Sequence, residues 1–232
     1  MNPLLEAVAF DLDSTLCEYT LTVAEVTARA IERAGLADIL TAPEELASAY
    51  NVAWWTEEQV SRVPTDELRR LSWRRVLTER GFDDPTIAER LAKAYSELRA
   101  ETGLRLIAGV TELLEDLGSR YALGILTNGP SDMQWEKLRG LGLTERVDGI
   151  VVAGDRGIFK PDPRPFRELL EMLCAVPAAS LFVGNSFEYD VLGAHAAGMR
   201  TAWIRSDGGL PTADVRPDHT IRVVTDLREI LL

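Results

Sequence analysis
The sequence predicts an α/β fold, a doubly wound parallel sheet with one helical segment inserted into it, and three observations carry that expectation. Ala7-Val8-Ala9-Phe10 is an apolar run too short for a helix, and it ends in Asp11-Leu12-Asp13-Ser14-Thr15, the pattern of a buried strand entering an acidic loop. From Gly109 onward, amphipathic helical stretches alternate with short apolar runs. Strands separated by helices return parallel, with helices on both faces of the sheet. Between these regions, residues of about 18 to 105 are rich in Ala, Leu, Glu and Arg and have almost no β-branched run, so they read as an all-helical insertion.

Each element follows from its own signals. The insertion is punctuated at Thr41-Ala42-Pro43, Val63-Pro64 and Asp84-Pro85, which divides it into four helices. Beyond it, a helix over Val110 to Leu117 precedes a strand over Ala122 to Leu126, and one over Ser131 to Leu141 precedes Gly149 to Ala153. Pro163 to Leu173 reads as helical, with Pro165 still in the first turn where it is tolerated, and leads to Leu181-Phe182-Val183. Tyr189 to Ala197 is a further helix, stopped at Gly198, before a strand over Thr201 to Ile204. The expected division is a core of residues 1–17 and 106–232 and an inserted unit of 18–105.

Composition excludes several classes of function. At 232 residues, 46% hydrophobic and 27% charged, the chain has the make-up of a soluble globular protein with one core and one insertion. It has no apolar run near the roughly 18 residues of a membrane helix. The N-terminus lacks a basic segment ahead of its short apolar stretch, so the expected location is the cytoplasm. A net charge of −12 argues against nucleic acid or an anionic membrane as partner, since both demand a basic face. Cys17 and Cys174 are too few for a disulfide framework, and with His195 and His219 the only histidines, a metal here is expected on oxygen ligands. Of 25 basic residues only Lys93, Lys137 and Lys160 are lysines, which makes each worth a question.

In an open parallel sheet the ligand site lies beyond the carboxyl ends of the strands, near the point where strand order reverses. The residues at those ends are Asp11 and Asp13, then Thr127 and Asn128, then Lys160-Pro161 in the loop after Ala153, then Gly184-Asn185-Ser186 with Asp190. Carboxylates, a hydroxyl, an amide and a lone Lys suit phosphoryl chemistry with Mg²⁺. Phe10-Asp11-Leu12-Asp13-Ser14-Thr15-Leu16, Leu126-Thr127-Asn128-Gly129, Lys160-Pro161-Asp162-Pro163 and Val183-Gly184-Asn185-Ser186 through Asp190 stand in the order of four family motifs. In them the chain resembles the haloacid dehalogenase superfamily of phosphohydrolases, with its Rossmann-like core. The insertion after the first motif is similar to that family's C1 cap, a lid over the active site.

The resemblance implies a Mg²⁺-dependent phosphomonoesterase acting on a small phosphorylated metabolite. Asp11 would be the nucleophile, forming an aspartyl-phosphate, and Asp13 the general acid and base. Thr127, the Asn128 main-chain or side-chain amide, and Lys160 would hold the transferring phosphoryl group. The Asp11 carboxylate, the Asp13 carbonyl, Asn185 and Asp190 would bind Mg²⁺. Asn185 departs from the family pattern, which has an acid there. An amide oxygen can still ligate Mg²⁺, but with one fewer negative charge; the alternative is a degraded or regulatory relative that binds metal poorly. A phosphomutase shares every core residue, and a non-catalytic domain that accepts phosphate on Asp11 and binds a partner is the reading from another class. A 2-haloacid dehalogenase is disfavoured, because it needs neither an acid at Asp13 nor a metal.

Other residues receive plainer readings. Glu188 reads as a solvated helix-entry charge, His195 as a packing or surface residue, and Cys17 as a small buried hydrophobe. Trp54 and Trp55 are adjacent, so on a helix they point about 100° apart and cannot share one core stripe. Arg69, Arg70, Arg74 and Arg75 have Glu67 and Glu79 at helical spacing and read as a salt-bridged face, while Arg62 is a candidate for an anionic substrate group.

Overall fold
The structure is a computed structural model that describes residues 4–61, 63–205 and 214–232. In chain order its elements begin with β1 (Ala7–Phe10), β2 (Cys17–Tyr19) and four helices, α1 (Val23–Arg33), α2 (Pro43–Ser61), α3 (Thr65–Thr78) and α4 (Pro85–Thr102). There follow β3 (Leu104–Leu106), α5 (Val110–Gly118), β4 (Ala122–Thr127), α6 (Ser131–Gly140), β5 (Gly149–Val152), α7 (Ala153–Arg156) and α8 (Pro163–Met172). The chain closes with β6 (Ser180–Gly184), α9 (Leu192–Ala197), β7 (Arg200–Ile204), β8 (His219–Ile221) and α10 (Leu227–Leu231).

The chain divides into two units. One runs to Glu18 and resumes at Arg105; the other is Tyr19–Leu104. In the first, six strands form a sheet in the order β5-β4-β1-β6-β7-β8, and every adjacent pair is parallel. All four residues of β1 are buried, as expected of a central strand covered on both faces, which is why the run Ala7 to Phe10 shows no alternation. One face packs through Ala7, Ala9, Leu126, Phe166, Leu169 and Phe182, with the rings of Phe166 and Phe182 edge to face at 4.8 Å. Asp162 caps α8 through the Arg164 N–H at 2.8 Å, and Pro163 fills its first turn.

The inserted unit holds the four helices that the Pro breaks predict. Thr22 and Glu25 form a reciprocal cap on α1, and Asp84 caps α4 ahead of Pro85. Its core is aromatic, with Trp73 fully buried and stacked on Tyr50 at 4.4 Å while Tyr95 lies 5.0 Å from Tyr50. Trp54 packs against this cluster and Trp55 is exposed, the divergence that their adjacency requires. The chain leaves the first unit within β2 and re-enters it within β3, and these two strands pair. Among the described residues no helix is long and apolar enough to cross a membrane.

Several details differ from the sequence expectation: β2 and β3 are short strands at the two ends of the segment expected to be all-helical, and β5 stops at Val152 because Ala153 opens α7. The stretch Tyr189 to Ala197 begins earlier, as a π-helical turn over Phe187–Val191 that passes into α9. The sheet gains β8 at its edge, a three-residue strand too short to show a period.

Candidate active site
The strand order reverses beside β1. After β4 the chain moves outward to β5, then returns to place β6 on the other side of β1. The carboxyl ends of β4, β1 and β6 therefore lie together, and they carry Thr127, Asp11 and Gly184-Asn185. Asp11 prolongs the ladder, since its N–H donates to the Val183 carbonyl at 2.9 Å.

Lys160 is the hub of the site. Its ammonium donates to Asp11 Oδ1 at 2.7 Å, Asp190 Oδ1 at 2.6 Å and the Leu126 carbonyl at 3.2 Å. The Lys160 and Asp190 side chains are each 2% exposed and Asp11 10%. Two carboxylates against one ammonium leave a surplus negative charge in a buried place. Burial, only partly offset by Lys160 and reinforced by Asp190, pushes the Asp11 carboxyl up to about 7. Burial opposes the Lys160 charge, but the two carboxylates outweigh it and raise the pKa of this lysine, keeping it protonated. Asp190 is also fixed from its own loop, because its Oδ2 accepts from the Ser186 N–H at 2.9 Å. Gly184 makes room for it: a Cβ there would lie 2.3 Å from Asp190 Oδ2.

Asp13 sits apart from that hub. Both its oxygens accept from Lys137 Nζ, at 2.8 and 2.9 Å, and Oδ2 also accepts from Gln134 Nε2 at 3.0 Å. Burial pushes the Asp13 carboxyl up, but Lys137 and Gln134 overcome it and hold it below the usual carboxylate range. The turn that presents it is closed by Ser14 N–H to Cys17 O at 2.8 Å and Leu16 N–H to Leu12 O at 2.9 Å, with Ser14 at φ 60°. Cys17 is buried, its thiol donates to the Leu12 carbonyl, and burial raises its pKa, so the thiol is inert.

One expectation is narrowed. The Asn128 side chain is committed to the Lys160 main chain, accepting from its N–H at 2.9 Å and donating to its carbonyl at 3.1 Å. This ties the loop carrying Lys160 to the end of β4, and of the two amides considered it leaves the Asn128 main-chain N–H for a phosphoryl oxygen. Thr127 is buried at the same strand end, its hydroxyl donating to the Asn128 carbonyl at 3.0 Å. Asn185 is exposed, and its carbonyl accepts from Trp203 Nε1 at 3.1 Å. Glu188 and His195 are exposed, in keeping with their plain readings. In the inserted unit Arg70 pairs with Glu67, and Arg75 with Glu79 and Glu57, so this is a salt-bridged face; Arg62 lies outside the described residues.

Among the described residues no three His, Cys, Asp or Glu side chains gather as a metal-binding group. The expected set contains only two carboxylates, Asp11 and Asp190, with the Asn185 amide and the Asp13 carbonyl as further oxygens. All-oxygen donors beside a buried surplus of negative charge fit a hard divalent cation that keeps several waters.

Residues 5–198 match the family model of the haloacid dehalogenase-like hydrolases. The chain belongs to that family. It is 38% identical to a phosphoserine phosphatase of Thermus thermophilus over 164 residues, which cover 71% of this chain and 64% of that protein. It is 27% identical to the N-acylneuraminate-9-phosphatase of Rattus norvegicus, over 98% of this chain and 94% of the relative. Among solved structures, the 2-haloacid dehalogenase of Pseudomonas syringae pv. Tomato DC3000 superposes with a TM-score of 0.65 at 29% identity, covering 98% of each chain.

Proposed function
We propose that this haloacid dehalogenase-type phosphatase is a Mg²⁺-dependent phosphomonoesterase of the cytoplasm that hydrolyses a small phosphorylated metabolite through an aspartyl-phosphate on Asp11. The observation that carries the reading is the separation of two carboxylates two residues apart. Asp11 is held with Asp190 on the buried Lys160, while Asp13 is gripped by Lys137 and Gln134. A dehalogenase has no use for the second carboxylate; phosphate ester hydrolysis needs both.

In the proposed sequence the phosphate ester enters as its monoanion and passes its proton to the Asp13 carboxylate; an Asp11 oxygen then attacks phosphorus and the ester oxygen leaves, taking that proton from Asp13. Water then attacks the acyl phosphate, giving its proton to Asp13, and inorganic phosphate departs with Asp11 restored. Lys160 offsets the repulsion between the Asp11 carboxylate and the incoming phosphate, and the Asn128 N–H, with Thr127 Oγ1 once its hydroxyl turns from the Asn128 carbonyl, donates to the transferring oxygens. Asp11, Asp190, Asn185 and the Asp13 carbonyl would hold Mg²⁺, which when bound neutralises charge on the phosphoryl oxygens. Residues 18–105 act as the C1-type lid and select the substrate. The phosphatase names of the curated relatives support the substrate class.

The test is phosphate release from a panel of sugar phosphates, phospho-amino acids, phosphoglycolate and nucleoside monophosphates, with Mg²⁺ and with EDTA. Turnover of at least one that ceases in EDTA is expected. Metal-independent release of halide from a 2-haloacid, with no phosphate release, would overturn it.

A further inference from the structure
We infer that Lys137, with Gln134 beside it, is the positioning pair that holds the Asp13 carboxylate in place for its acid and base steps. The inference rests on the phosphatase reading and adds to it two residues on α6. They lie three positions apart, one helical turn, and so share a face. Both are buried, Gln134 at 1% and Lys137 at 7% exposure, an uncommon place for an ammonium unless it is paired. Lys137 bridges both oxygens of Asp13, which constrains the rotation of the carboxylate more than a single contact would.

Gln134 fixes the geometry further. Its Nε2 donates to Asp13 Oδ2 and to the Asn128 carbonyl, two acceptors, so the amide can face them only with its NH₂ group. Its Oε1 has no partner among the described residues. The same amide thus joins Asp13 to the phosphoryl-binding turn at the end of β4. Gly129 leaves the space for this, since a Cβ there would lie 2.3 Å from Gln134 Nε2. Asp13 remains 40% exposed on its other side, which leaves that side open to a leaving group or a water. A misplacement of about 1 Å can cost a reaction about a hundredfold, so a carboxylate on a turn needs such a holder.

The test is a double-mutant cycle in the full chain with Lys137→Met, Asp13→Ala and the pair, each measured for kcat and KM on an alkyl phosphate and for its urea midpoint. Lys137→Met should lower kcat about 10- to 100-fold with KM within about threefold, and Lys137→Arg should recover much of the loss. In the Asp13→Ala background the same Lys137→Met change should cost less than about threefold, and the midpoints should be non-additive. An equal loss of kcat in both backgrounds, or a loss confined to KM, would overturn the inference. If the wild-type chain releases phosphate from no substrate, the phosphatase reading fails instead; the midpoints then decide the contact, non-additivity sustaining it and additivity overturning it.

Discussion

Both units of this chain carry exposed ion pairs, but among the described residues only the core unit also has pairs buried on both sides. In the inserted unit the ion pairs lie on the surface. The Arg75 and Glu79 side chains are 43% and 57% exposed, and the buried contacts are between the rings of Tyr50, Trp73 and Tyr95 and from the Arg99 guanidinium to the Tyr95 hydroxyl. In the core unit the pairs Lys160–Asp11 and Lys160–Asp190 are almost wholly buried. An exposed pair contributes about 0–1 kcal/mol and costs little. A buried one pays a desolvation cost that an apolar side chain of similar volume would avoid, so its presence is poorly explained by stability and points to chemistry. The contrast teaches where to look: among the described residues Arg70 and Arg75 of the insertion lie on a salt-bridged face, and two of the three lysines of the chain are on the carboxylates proposed for the chemistry.

The largest expected effect belongs to the core. Asp11→Asn should lower turnover by about 10³-fold or more while leaving the circular dichroism spectrum intact, because an amide is no nucleophile. A variant retaining a tenth of wild-type turnover would break the covalent scheme. Lys160→Met should abolish activity comparably, and by leaving Asp11 and Asp190 facing each other without their cation it should destabilise by about 3–5 kcal/mol in urea unfolding. The matching loss in the insertion is apolar: Trp73→Ala should cost about 3–5 kcal/mol through the cavity it opens. Arg75→Ala, which removes two exposed pairs, should stay within about 1 kcal/mol, and a larger cost would erase the contrast.

Metal dependence sharpens the comparison within the site. Asn185→Asp restores a unit of negative charge at an exposed position, and it should lower the Mg²⁺ concentration for half-maximal activity several-fold. Asp190→Asn should raise it. Opposite shifts at two positions of one loop would mark both as ligands; no shift at either would remove this loop from the metal site.

Much of this was visible in the sequence because the fold and the chemistry leave signals at the same places. The central strands are apolar runs that stop at polar residues, so reading only the residues after Phe10, Leu126 and Val183 already yields Asp11, Thr127 and Gly184-Asn185. The Pro breaks delimit the inserted helices because Pro is excluded from a helix interior and tolerated in its first turn. What escaped was contact between distant residues. Nothing in the spacing of Gln134 and Lys137 points to Asp13, more than 120 positions earlier; the scarcity of lysine in the chain was the sole signal at Lys137. The reciprocal bonds between Asn128 and the Lys160 main chain were hidden for the same reason. Strands of three residues, β2, β3 and β8, are too brief to show alternation and are made by their partners.

The most direct test of the central claim is to trap the intermediate. In Asp13→Asn the first step should outrun the second for a substrate with a good leaving group, since such a group needs no proton and the water still needs a base. Rapid acid quench of this variant with p-nitrophenyl phosphate and Mg²⁺, followed by mass spectrometry of the peptide containing Asp11, should show one added phosphoryl group on Asp11, absent from Asp11→Asn. Steady phosphate release by the wild-type protein with no phosphoryl group on Asp11 in the trapped variant would contradict the assignment of Asp11 as the nucleophile.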